Sequence, residues 1–130
     1  MFSLRLVAAV VLILAALVRP DAALAQDADA QAFVSGIEDL PLMPGLTETA
    51  EGSLVFESAG GRFVEVYAVG DVSRSDVEGF YGESLPQLGW QKNGPTNFRR
   101  DNEVLVLEFI SGQETAAPLT VRFALSPADG

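Results

Sequence analysis

Two glutamates, Glu65 and Glu108, each interrupt an otherwise apolar stretch of this 130-residue chain. A pair of carboxylates is the least equipment a glycoside hydrolase needs, one as acid and one as base or nucleophile. Arg122, on a third alternating stretch, is placed to pair with either glutamate across a sheet. The same residues therefore also describe an ion pair or plain solvation on a half-exposed sheet face, and no catalytic residue is assigned. Arg99-Arg100 is the one adjacent basic pair. Beside a turn it reads as a solvated strand end, with contact to an anionic ligand as the alternative.

Other chemistry is scarce. The chain has no histidine and no cysteine. That removes Ser-His-Asp and Cys-His sites, thiolate metal sites and the usual proton carrier near neutral pH. No GxSxG, Walker A or GxGxxG pattern occurs, and Asp27-Ala28-Asp29 is only a fragment of a calcium loop. No metal and no cofactor are expected. A small hydrolase using carboxylates or a serine is the alternative to a non-enzymatic domain.

The elements that must position these residues begin with GFYGESLPQLGW, Gly79 to Trp90. The helical period runs from Ser75 to Leu88, and Val77, Phe80, Tyr81, Ser84, Leu85 and Leu88 fall on one arc. Ser75 and Glu78 have the spacing of a capping box. With Leu88 as C-cap, Gly89 takes the left-handed position, and the Trp90 N–H reaches the Leu85 carbonyl in a Schellman ending. Leu85, Gly89 and Trp90 are thus read as a structural motif. Pro86 removes one helical hydrogen bond and should bend the last turn. Ser75, Gly79, Gly82 and Pro86 form a small-residue stripe opposite the apolar arc. It is either a close-approach surface or an exposed face tolerant of weak helix formers.

Period-two alternation marks strands at Leu54 to Ser58, Arg62 to Val69, Asn97 to Arg100, Glu103 to Ser111 and Leu119 to Ser126. Ala59-Gly60-Gly61 joins the first two, and Asp101-Asn102 suits a two-residue hairpin turn. The order β-β-α-β-β-β predicts an α+β domain over residues 53–130, with an antiparallel sheet of about five strands and one main helix packed on one face. Residues 26–52 are expected to hold a short N-terminal helix, Asp27 to Gly36 with Phe33 and Ile37 four apart, and a Pro-rich connector. Met43-Pro44-Gly45-Leu46 suits a type II turn. Phe63 and Tyr67 lie on the sheet face the helix should leave open. That makes them possible partner contacts, unless the connector from Asp39 to Leu46 folds over them.

Residues 1–25 have the order of a signal peptide: Arg5 in a short n-region, 13 apolar residues from Leu6 to Val18, then Ala23-Leu24-Ala25. The apolar run is too short to span a bilayer, which takes about 20 residues. The formal net charge is −10, and losing Arg5, Arg19 and Asp21 makes it −11. So acidic a chain argues against nucleic acid and anionic membrane surfaces. DLPLMPGL, GRFVEVYAVGDVS, FYGESLPQLGW, FRR and a final strand ending in LSP together resemble small exported bacterial proteins of unknown function that share an FYxxxLPxLGW-type segment. The resemblance covers most of Asp39 to Pro127. It implies export and a compact domain, and it brings no activity or site residue. The expected role is a periplasmic or secreted acidic accessory domain that binds an envelope protein, without stable membrane insertion.

Overall fold

A computed structural model describes residues 31–110 and 118–128. The signal-peptide reading of residues 1–25, the Asp27–Asp29 fragment, the start of the expected N-terminal helix and the strand end at Ser111 lie outside the described residues. The elements are β1 (Leu46–Ser58), β2 (Gly61–Gly70), α1 (Arg74–Gln87), β3 (Gln91–Lys92), β4 (Asn97–Arg100), β5 (Glu103–Phe109) and β6 (Leu119–Pro127). All strands join one antiparallel sheet in the order β1-β2-β6-β5-β4-β3. The fold is therefore α+β, with six strands rather than about five. The sixth is β3, a two-residue pairing of Gln91 and Lys92 with Arg99 and Phe98, too short to carry an alternation.

The sheet has a buried inner face. Val64, Val66 and Ala68 of β2, Leu119, Val121, Phe123 and Leu125 of β6, Leu105 and Leu107 of β5 and Phe98 of β4 all lie there. Helix α1 lays Val77, Tyr81 and Leu85 on this face. The Tyr81 and Phe123 rings meet edge-on, 5.4 Å apart. No polar or charged residue among those described is buried, so apolar contact is the chief cohesion of this layer.

Residues 31–36 form no helix, although Phe33 and Ile37 have the spacing for one. The chain instead makes a narrow loop, with the Val34 N–H on the Leu40 carbonyl and the Leu42 N–H on the Ala32 carbonyl, both at 2.8 Å. Val34, Ile37 and Leu40 are buried, while Phe33 is exposed. Pro41, bridged to Phe33, closes the loop. The following turn is as its residues require: the Leu46 N–H meets the Met43 carbonyl at 3.0 Å, and Gly45 has φ +97°. The connector runs along the helix side of the sheet. The Tyr81 hydroxyl donates to the Pro41 carbonyl at 2.8 Å and accepts from the Met43 N–H at 3.1 Å. Burial pushes the Tyr81 phenol well above its ordinary pKa, so it stays protonated as the donor this connection needs.

The capping box sits two residues earlier than Ser75 and Glu78. Ser73 is the N-cap; its hydroxyl accepts from the Asp76 N–H at 3.0 Å, and the Asp76 carboxylate accepts from the Ser73 N–H at 3.2 Å. Ser75 only exchanges a hydroxyl hydrogen bond with Ser73, and Glu78 pairs with Arg74 one turn back at 3.0 Å. At the other end Leu88 is the C-cap, Gly89 has φ +91°, and the Trp90 N–H donates to the Leu85 carbonyl at 3.1 Å. Pro86 stays inside the helix.

Candidate functional site

The outer face of the sheet carries no element among the described residues, and none of its side chains is buried. The strand register arranges it in rows. Phe56, Phe63, Ser126, Val104 and Arg99 make the first. Leu54, Glu65, Ala124, Val106 and Asn97 make the second. Thr49, Tyr67, Arg122 and Glu108 make the third. The apolar end lies toward β1: Leu54 and Phe56 are each 54% exposed and Phe63 37%, with the two phenylalanine rings 6.2 Å apart.

A register shift in β1 creates that end. Four residues, Ala50 to Ser53, stand opposite Val66 alone, between the pairs Thr49–Tyr67 and Leu54–Glu65. An odd surplus reverses which side chains face outward, so Leu54 and Phe56 turn to the outer face and Val55 to the inner. Gly52, at φ +80°, makes the bend possible. A Cβ there would lie 2.8 Å from the Tyr67 ring, so that ring rests on bare backbone.

Both strand glutamates are held by one arginine. Arg122 Nη1 donates to Glu108 Oε2 at 2.7 Å, and its Nη2 donates to Glu65 Oε1. The hydrogen bond to Glu65, helped by that to Glu108, outweighs partial burial and raises the guanidinium pKa further. This is a charged brace across β2, β6 and β5 on an open surface. Chemically it ties up both carboxylates that could have served as an acid/base pair.

The other basic cluster divides. Arg100 grips Asp39 through both Nη atoms, donates to the Leu88 carbonyl at 3.0 Å and lies 4.4 Å over the Trp90 ring. It fastens the connector to the helix end, while Arg99 stays exposed on the outer face. The Trp90 indole N–H has no hydrogen-bond partner among the described residues, so packing and the guanidinium hold the ring. The structural residues Leu85 and Trp90 thus belong to the inner layer, with Gly89 turning between them and Pro86 exposed at the helix end. Ser75, Gly79 and Pro86 are exposed and a Cβ on Gly82 would meet the Lys92 ammonium, so no backbone among the described residues packs on the small-residue stripe.

Shallow concavities also occur among the described residues. One of about 320 Å³ runs between Phe33 and Pro41 on one side and Phe80, Ser84 and Leu88 on the other. A polar one of about 270 Å³ is edged by Arg99, Arg100 and Asp101. One of about 440 Å³ lies beside Ser35, Glu48 and Ser53. Among the described residues no group of three or more acidic side chains is placed to hold a metal ion, and no helix is long and apolar enough to cross a membrane. Phe63 and Tyr67 share the face that no described element covers; sequence reasoning missed that Leu54 and Phe56 join them, because only the bulge at Gly52 turns them outward. No protein-family model, curated protein or solved structure matches this chain.

Proposed function

We propose that this is an exported, non-enzymatic binding domain, an accessory module whose contact surface for an envelope protein is the outer sheet face. One observation carries the reading: the connector expected as a cover for Phe63 and Tyr67 is packed on the helix side instead, and Leu54, Phe56 and Phe63 lie exposed together at the β1 end of the outer face. An exposed apolar patch with a polar margin is the usual mark of a protein contact. The acidic surface supports a protein partner over nucleic acid or anionic lipid. The hydrolase alternative is weakened because Glu65 and Glu108 share one guanidinium on an open face.

The test starts from affinity capture with the mature protein on its own cell envelope, read by mass spectrometry. The captured protein is then purified and titrated against wild type and Phe63→Ser. Affinity should fall by at least about tenfold, the scale of one hot-spot aromatic. Equal binding by the folded variant would remove the outer face as the contact surface. Turnover of a glycan or ester, abolished by Glu65→Gln or Glu108→Gln, would overturn the non-enzyme reading.

A further inference from the structure

Strand β1 ends the sheet, and its outward edge is paired with nothing among the described residues. Edge strands normally carry a lysine, a proline or a covering loop that blocks further pairing. Here Ser53-Leu54-Val55-Phe56-Glu57 offers three consecutive apolar residues, with Val55 59% exposed between Leu54 and Phe56. Proline and basic residues are absent from the whole of β1.

We propose that a second copy of this chain adds to this edge, antiparallel, through a two-fold axis at Val55. The register follows from which residues tolerate one another. Outer-face residues must meet outer-face residues if the joined sheet is to keep its two faces, which limits the choice to registers centred on a residue. Centring on Val55 sets Phe56 against Leu54 of the second copy, Val55 against itself, and Glu57 against Ser53. Centring on Leu54 sets Glu57 against Glu51, and centring on Phe56 sets Val55 against Glu57. Like charges placed opposite, or an acid on an apolar partner, destabilise a strand pair. Only the Val55 register of these three matches apolar with apolar and keeps the acids apart. In that register Phe56 lies between Phe63 of its own copy and Leu54 of the other, so the two apolar patches merge into one.

A basic strand from another protein is the main rival for this edge. The self-complementary pattern favours the second copy, and salt separates the two. Each copy carries a net charge of −10 over the full chain, so self-pairing works against repulsion and should strengthen as salt is added. Pairing with a basic strand should weaken. An edge of this length falls at the weak, transient end of protein interfaces, so the dimer should depend on concentration.

The inference rests on the outer-face reading only in taking β1 to be uncovered. Because the chain has no cysteine, single introduced thiols report the contact cleanly. Directly opposed residues lie about 4.5–5.5 Å apart at Cα, within disulfide reach. Leu54 and its copy would be about 8 Å apart and out of reach. Under mild oxidation Val55→Cys should form covalent dimers at least about tenfold faster than Gly79→Cys, on the exposed helix face, because pairing raises the local thiol concentration. Leu54→Cys and Phe56→Cys should cross-link when mixed and not alone. Sedimentation of wild type should show a dimer that grows with concentration and with salt, and Val55→Asp should abolish it. Self-linking at residue 54 or 56 in place of 55, or no excess over Gly79→Cys, would overturn the proposal. So would a wild-type dimer that salt dissolves. Phe63 lies off the edge, so Phe63→Ser should still cross-link through residue 55 even where it loses an envelope partner. Loss of that cross-link in the folded variant would overturn the edge geometry.

Discussion

The same strands build two unlike surfaces. Along β2, Val64, Val66 and Ala68 are sealed under the helix and connector, while Phe63, Glu65 and Tyr67 are exposed or half-exposed between them. Along β6, Val121 and Phe123 are buried and Arg122 between them braces two glutamates. The inner face is apolar and interlocked. The outer one mixes aromatics, small residues and a paired charge cluster. Stability should therefore concentrate on the inner face, leaving the outer one open to change without unfolding.

Mutation should expose that asymmetry first at the inner layer. Trp90→Ala should cost roughly 3–5 kcal/mol, since the ring is 2% exposed and its loss also strips Arg100 of its stacking surface. Phe123→Ala should fall in the same range of about 3–5 kcal/mol. Urea melts read both directly. A loss under about 1 kcal/mol for either would mean the inner layer is loosely packed, and the contrast between the faces would lapse. Gly89→Ala comes next, at about 1 kcal/mol, because φ +91° strains any L-residue while the added Cβ would make only an ordinary contact, 3.6 Å from Arg100 Cδ.

On the outer face the same measurement should give little. Phe63→Ser should change stability by less than about 1 kcal/mol, because the residue is 37% exposed and lies outside the buried core. If it unfolds the protein, Phe63 is core and the surface reading fails with it.

How far the sequence reveals this asymmetry depends on how local the signal is. The alternation of β6 and the Leu-Gly-Trp helix ending are readable because each is set by neighbours within a few residues. The N-cap was displaced because Ser73–Asp76 and Ser75–Glu78 both have the right spacing. What decides is the Val77 N–H, which already bonds the Ser73 carbonyl at 3.2 Å. The start of β1, Thr47 to Thr49, has no apolar alternation and is a strand because β2 offers it a partner. The path of the connector is not legible either. Val34, Ile37 and Leu40 follow no strand period, and the connector just after them is held by the Tyr81 hydroxyl, forty residues on from the Pro41 carbonyl it bonds. For the candidate site, the shared face of Arg122, Glu65 and Glu108 could be read from alternation, with Arg122 directly across from Glu108 and diagonal to Glu65. The exposure of Leu54 and Phe56 could not, since it depends on an odd number of extra residues near Gly52.

The smallest effect expected concerns the clasp that keeps the connector on the inner side. Asp39 accepts from Arg100 Nη2 at 3.1 Å, and this hydrogen bond, reinforced by the charge of the guanidinium, holds the Asp39 carboxyl below its ordinary pKa despite some desolvation. A carboxyl with a depressed folded pKa contributes stability that is fully present above the unfolded value, near 4. That contribution is lost as pH falls through the lower folded value. Wild type should therefore lose a small increment of stability below about pH 4 that Asp39→Asn does not lose, while at neutral pH the variant should be slightly the weaker of the two. Asp39 is 44% exposed, so solvent screens the pair and the increment should be modest. Urea melts of both proteins across the acid range measure the difference. Parallel pH profiles would show that the clasp contributes nothing, and that the connector is held on the inner face by Val34, Ile37, Leu40 and the Tyr81 hydroxyl without it.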